Sequence, residues 1–135
     1  MGRIVSIVLL IGVLLASMGG GQPDNTAEDT VIDYGESGMF SLEDRQEAVS
    51  LILARTGSWR SLEHLHTVRY GGDAASLEEK GFHGFDEVMV FFSDFKTVRN
   101  SPAAEGFNDD SEYTNWGWYL GRTEDGSWKL IDMGY

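Results

Sequence analysis

The sequence predicts an α+β domain in which one N-terminal amphipathic helix packs on a curved antiparallel sheet of about four strands. Three observations carry this expectation. A capped stretch over residues 42–56 has the helical period, apolar and aromatic strand patterns crowd the chain beyond it, and nothing shows the strand–helix alternation of a parallel sheet. The core has ample material, since all 16 Trp, Phe and Tyr residues lie at or beyond Tyr34. Each large ring can bury about 150–250 Å².

Residues 1–21 stand apart from that domain. Met1-Gly2-Arg3, an apolar block from Ile4 to Leu15 and the small-residue exit Ala16-Ser17-Met18-Gly19-Gly20-Gly21 have the layout of an export signal. As a helix, Ile4 to Met18 spans roughly 22 Å, short of the roughly 30 Å hydrocarbon core of a bilayer. That favours a cleaved signal peptide. Counted to Gly21 the segment nears about 27 Å, which leaves an uncleaved N-terminal membrane anchor open. Either way the remainder is expected to be secreted or held at the cell surface, touching membrane only through residues 1–21.

Residues 22–38 are expected to be an acidic flexible tether. Asp24, Glu28, Asp29, Asp33 and Glu36 fall among Gly, Ser, Thr, Asn and Pro with no basic residue. An acidic interaction tail is the alternative. The domain itself is placed at 39–135. Ser41 supplies a helix N-cap with Asp44 at the third helical position. Leu42, Ala48, Val49, Ile52 and Leu53 then form one face, Arg55 suits the negative helix end, and Gly57 is the expected stop.

Ser61 to Tyr70 alternates loosely and ends at Gly71-Gly72-Asp73, a strand closed by a turn. Asp73 is expected to cap a short helical turn through Leu77 to Lys80, ended by Gly81. Glu87 to Phe92 reads as a buried strand continuing to Lys96, and a loop over about 97–110 leads to an aromatic strand, Tyr113–Arg122. Alternation puts Thr114, Trp116, Trp118 and Leu120 on one face of that strand and Tyr113, Asn115, Gly117 and Tyr119 on the other. Asp125-Gly126 suits the hairpin turn, with Trp128 to Met133 as the return strand.

The formal charge is −12, and −13 without the leader, which carries Arg3 and no acid. Such a balance argues against nucleic acid and anionic membrane surfaces as partners and favours basic partners or cations. No cysteine is present, so neither a disulfide nor a thiol nucleophile is available.

Few constellations point to chemistry. His64 and His66, two apart on a strand, face one way and are the candidate metal pair, with His83 and Asp73 or Asp86 as further donors; surface histidines are the alternative. Asp94 and Asp132 are the carboxylates to watch for acid–base work. Asn108-Asp109-Asp110 offers hard oxygens for calcium without EF-hand spacing. Trp116, Trp118 and Trp128 either fill the core or line a concavity for an apolar or sugar ligand. No catalytic motif of the G-x-S-x-G or H-E-x-x-H kind occurs, and no cofactor is implied.

Val68-Arg69-Tyr70-Gly71-Gly72-Asp73, the run Phe91-Phe92-Ser93-Asp94-Phe95, and above all Tyr113–Arg122 with Gly126–Tyr135 carry a likeness. From about Phe40 to Tyr135 the chain resembles a family of small exported and lipoprotein-like proteins of Gram-positive bacteria that has no established activity. The resemblance implies a cone-shaped helix-on-sheet fold of the nuclear-transport-factor-2-like or cystatin-like kind, and no catalytic residues. Leu15-Ala16-Ser17 also matches the approach to the lipidated cysteine of such proteins, but Met18 stands where that cysteine would be. The expected function is a non-enzymatic extracytoplasmic domain that binds a small ligand or a surface protein. The alternative is a small pocket enzyme, a hydrolase or isomerase, on the same fold; a third reading is a protein inhibitor of cystatin-like shape.

Overall fold

The computed structural model describes residues 29–100, 105–124 and 126–135. The expected leader, the first part of the expected tether, loop residues 101–104 and Asp125 of the hairpin turn lie outside the described residues. The elements are β1 (Val31–Asp33), α1 (Leu42–Gly57), β2 (Leu62–Tyr70), α2 (Asp73–His83), β3 (Glu87–Thr97), β4 (Glu112–Arg122) and β5 (Lys129–Gly134). Among the described residues the class is α+β, with two helices and one open sheet whose five strands lie in chain order.

The sheet differs from the expected four antiparallel strands. β2 to β5 pair antiparallel, but β1 runs parallel to β2 in the register Val31↔Thr67, Ile32↔Val68 and Asp33↔Arg69. A parallel neighbour needs a crossover, and α1 is that crossover. The tether expected over 22–38 is corrected with it, because its later residues belong to the fold. Ile32 and Tyr34 are buried, at 5% and 1% exposure. The Thr30 hydroxyl donates to the Leu65 carbonyl at 2.8 Å. A three-residue strand is too short to impose a period on an acidic background, so composition hid it.

α1 opens as its cap residue dictates. The Ser41 hydroxyl accepts the Asp44 N–H at 3.0 Å, while the Asp44 carboxylate turns away to Arg122. Ala48, Val49 and Ile52 pack into the core with Leu65, Val68, Met89, Phe91, Phe95, Trp118 and Leu120 from β2, β3 and β4. Leu42 is not part of that face and is exposed. Arg45 is, at 7% exposure, because its Nη1 donates to the carbonyls of Tyr34 and Gly35 at 2.9 and 2.7 Å. The helix ends with Ser58 as its cap rather than at a left-handed Gly57.

Bulges decide which side chains face this core. In β2 the register slips between Leu62 and His64 and between Leu65 and Thr67, so Leu65 and Val68, three apart, are both fully buried. In β4 the slip falls at Asn115, whose φ is 57°. The extra residue corrects the expected faces: Tyr113 joins the tryptophan side and stacks on Phe95 at 5.0 Å, 6° from parallel.

α2 is longer than expected. It passes through Gly81 to His83 and ends at Gly84, which takes the left-handed φ of 74°. Asp73 is its first residue rather than its cap. Beyond the end of β2, the Val90 carbonyl accepts the Gly71 N–H at 2.8 Å and the buried Ser76 hydroxyl accepts the Val90 N–H at 3.1 Å. Gly71 must stay bare there, since a Cβ would meet the Phe92 ring at 2.8 Å. Val88 and Val90 are buried by alternation on the face opposite Met89 and Phe91.

Candidate functional site

A groove of about 240 Å³ opens where α2 passes the approach to α1. Phe40 and Val88 form its apolar floor, Ser76, Leu77 and Lys80 of α2 form one wall, and Met39, Asp86 and Glu87 complete the rim. Phe40 and Val88 are buried, whereas Met39 is 39% and Leu77 58% exposed.

One carboxylate sets this geometry. Asp73 accepts the Ser37 hydroxyl at 2.6 Å, the Gly38 N–H at 2.9 Å and the Tyr70 hydroxyl at 2.6 Å. It thereby ties residues 37–39 to the start of α2. The Ser37 and Tyr70 hydroxyls and the Gly38 N–H hold the Asp73 carboxyl below the usual range, while burial and Asp73 push the Tyr70 phenol up. At the rim, the Glu87 carboxylate accepts from Arg122 at 2.6 Å and Asp86 accepts the Glu124 N–H at 2.7 Å. Both acids are engaged in holding the fold. Nothing in the sequence pattern pointed to Met39 or Leu77 beyond their being apolar.

The three tryptophans do not share one concavity. Trp118 is fully buried, donates to the Ser93 hydroxyl at 2.9 Å and stacks on Trp59 at 5.6 Å. Trp116 meets Phe95 and Phe107 edge-on at 5.8 and 5.2 Å, toward the C-terminal end of α1 where Trp59 lies. Trp128 is buried near the other end of that helix, edge-on to Phe40 at 5.5 Å and beneath the Arg122 guanidinium at 4.5 Å. Closed to solvent, Trp118 and Trp128 present no surface to a ligand.

Asp94 and Asp132 are not brought together; β4 lies between their strands. Asp94 accepts from Arg69 at 3.3 Å and from the Asn115 N–H at 2.9 Å, and Arg69 also reaches the Asn115 side chain. Burial acts to raise the Asp94 carboxyl, but the Asn115 N–H and Arg69 outweigh it and hold the group below the usual range. It is an ionised partner in an ion pair rather than a proton donor. Asp132 is exposed and accepts the next backbone N–H at 2.8 Å.

In the loop before β4, Asp110 binds Lys96 at 2.6 Å and Arg99 at 3.7 Å. The Asn108 carbonyl accepts the Thr97 hydroxyl at 2.7 Å. These contacts tie the loop to β3. On the outward side of β2, the His64 and His66 Nδ1 atoms lie 2.7 Å apart. His83 does not join them: it pairs with Glu79 at 3.1 Å and stacks on Tyr119. Among the described residues no group of three or more His, Cys, Asp or Glu forms a metal cluster, and no helix is long and apolar enough to cross a membrane. Comparison with family models, curated proteins and solved structures gave no match.

Proposed function

We propose that the chain is a non-enzymatic, extracytoplasmic binding domain that takes an apolar side chain of a partner protein into the groove between α2 and Met39–Phe40. The observation that carries this is the groove's size and make-up. About 240 Å³ falls below the roughly 300–1,000 Å³ of typical small-molecule sites, but suits one aliphatic or aromatic side chain. The apolar floor, the two exposed apolar residues at the mouth and the acidic rim favour an anchor flanked by basic residues. The chain's charge of −12 steers the same kind of partner.

The enzyme alternative is less well supported, since the rim acids Asp86 and Glu87 accept structural hydrogen bonds. The cone-like, cystatin-like or nuclear-transport-factor-2-like shape belongs to this proposal, supported by α1 packed on the sheet and by bulges that bend β2 and β4. So does kinship with small exported proteins of Gram-positive bacteria, which rests on the Tyr113–Arg122 and Gly126–Tyr135 ending.

The test is an NMR titration with short peptides bearing a single Leu or Phe flanked by Lys and Arg. Saturable shifts at the Leu77, Lys80 and Val88 amides, abolished by Leu77→Asp, are expected. A full panel without such shifts sinks the reading. Export is checked separately by sequencing the N-terminus of the product found outside the cell; an unprocessed product confined to the cytosol would refute it.

A further inference from the structure

We propose that His64 and His66 form a binding site for one borderline divalent transition-metal ion of the zinc class, held by the two Nδ1 atoms and completed by water. This reading is independent of the groove. The two rings flank the fully buried Leu65 and so share the outward side of β2, with centroids 4.8 Å apart and planes inclined at 49°. Their Nδ1 atoms face each other at 2.7 Å.

Carboxylates stand behind both rings. His66 Nε2 lies 3.1 Å from Glu112 Oε1, and His64 Nε2 lies 3.9 Å from Asp29 Oδ2. An ionised carboxylate only accepts, so the proton of His66 sits on Nε2 and its Nδ1 presents a lone pair. A ring nitrogen bonded to a carboxylate on its far side is the arrangement that orients metal-binding histidines. In the chain as it stands, the proton on His64 Nδ1 is donated to the His66 Nδ1 lone pair, and a metal ion that displaces this proton meets two nitrogens already converging.

The surroundings favour a cation. Lys96 faces His64 across the β2–β3 ladder, and Glu63 and Asp110 share its ammonium at 3.3 and 2.6 Å, with Arg99 as the other base. With Asp29 and Glu112, the carboxylates outnumber the cations. Imidazole nitrogen selects zinc, copper or nickel over magnesium and calcium, which prefer oxygen. A tetrahedral ion about 2.1 Å from each nitrogen sets the pair about 3.4 Å apart. The rings, with side chains 29% and 36% exposed, have the freedom to open by that fraction of an ångström. Two protein ligands make an exchangeable site rather than the closed four-ligand cage of a structural zinc.

The experiment is calorimetric titration of Zn²⁺ into the purified full-length chain, with the imidazole resonances followed by NMR. One ion per chain is expected, with shifts confined to the His64 and His66 rings and no competition from excess Mg²⁺. His64→Ala and His66→Ala should each weaken binding at least tenfold, Glu112→Ala should weaken it about ten- to hundredfold, and His83→Ala should leave it unchanged. Absence of saturable zinc uptake, as for a pair that merely shares a proton, overturns the proposal. So does uptake that persists in the His64→Ala, His66→Ala double variant.

Discussion

Tyr34 carries a phenol with nowhere to place its proton. The residue is 1% exposed, its hydroxyl has no hydrogen-bond partner among the described residues, and burial pushes that hydroxyl up to about 12. Folding strips the group of water and returns nothing, a penalty of about 1–3 kcal/mol. The ring, by contrast, buries apolar area beside Ile32 in the core. Tyr34→Phe should therefore raise stability by about 1 kcal/mol, seen as a higher denaturant midpoint at unchanged slope. A lower midpoint would mean that the hydroxyl is satisfied after all. Position 34 also illustrates a limit of composition: a lone aromatic among acids and glycines reads as solvated chain until its carbonyl is seen accepting from Arg45.

At the level of elements, Asp73 is the joint between the β1–α1 connection, β2 and α2. Its folded carboxyl is held below the ordinary value by the two hydroxyls and the Gly38 N–H. A depressed acid stabilises fully above its unfolded value, near about pH 4, and that contribution disappears as the pH falls through the folded one. Asp73→Asn should thus destabilise at pH 7, and its deficit against the native chain should shrink by pH 3. Urea unfolding of both chains across that window measures the difference, and a deficit that stays constant would remove the carboxylate's charge from the account. Elements with a clear period were legible in the sequence: the apolar run expected over 87–96, the aromatic strand over 113–122 and the capped stretch over 42–56 fall within β3, β4 and α1, each one residue short of the observed element. What was not legible has local causes. The slip at Asn115 inverts the side of Tyr113 because one residue at positive φ changes parity without changing composition. Gly81 reads as a stop, yet the helix passes through it to the left-handed Gly84, since a single interior glycine costs only about 1 kcal/mol. The groove was invisible for a further reason: its walls come from 39–40, 76–80 and 86–88, segments that only tertiary packing brings together.

For the molecule as a whole, the question is where the cooperative unit begins. Composition puts the boundary at residue 39, whereas the sheet begins with β1, and removing residues 29–38 would do more than trim an edge. Leu65 would lose the hydroxyl that bonds its carbonyl, Val68 its parallel neighbour, Asp73 two of its donors, and Arg45 the two carbonyls that let its charge lie inside. Ile32 and Tyr34 would take their buried area with them, worth about 1.5–3 kcal/mol for a large apolar side chain. Against this stands the entropy recovered by freeing the segment, about 1–2 kcal/mol for each residue fixed. The buried guanidinium tips the balance, because a charge that loses its partners inside a protein is among the costlier defects. A chain starting at residue 39 should therefore be less stable than one starting at residue 29 by at least about 2 kcal/mol, and should melt about 8–16 °C lower. Calorimetry on the two truncations decides it. Coincident melts would mean that β1 merely rests on a domain complete without it, while a broad, early transition for the shorter chain would place the acidic segment inside the folding unit, with the groove mouth at Met39 held open by the same clasp that closes the sheet.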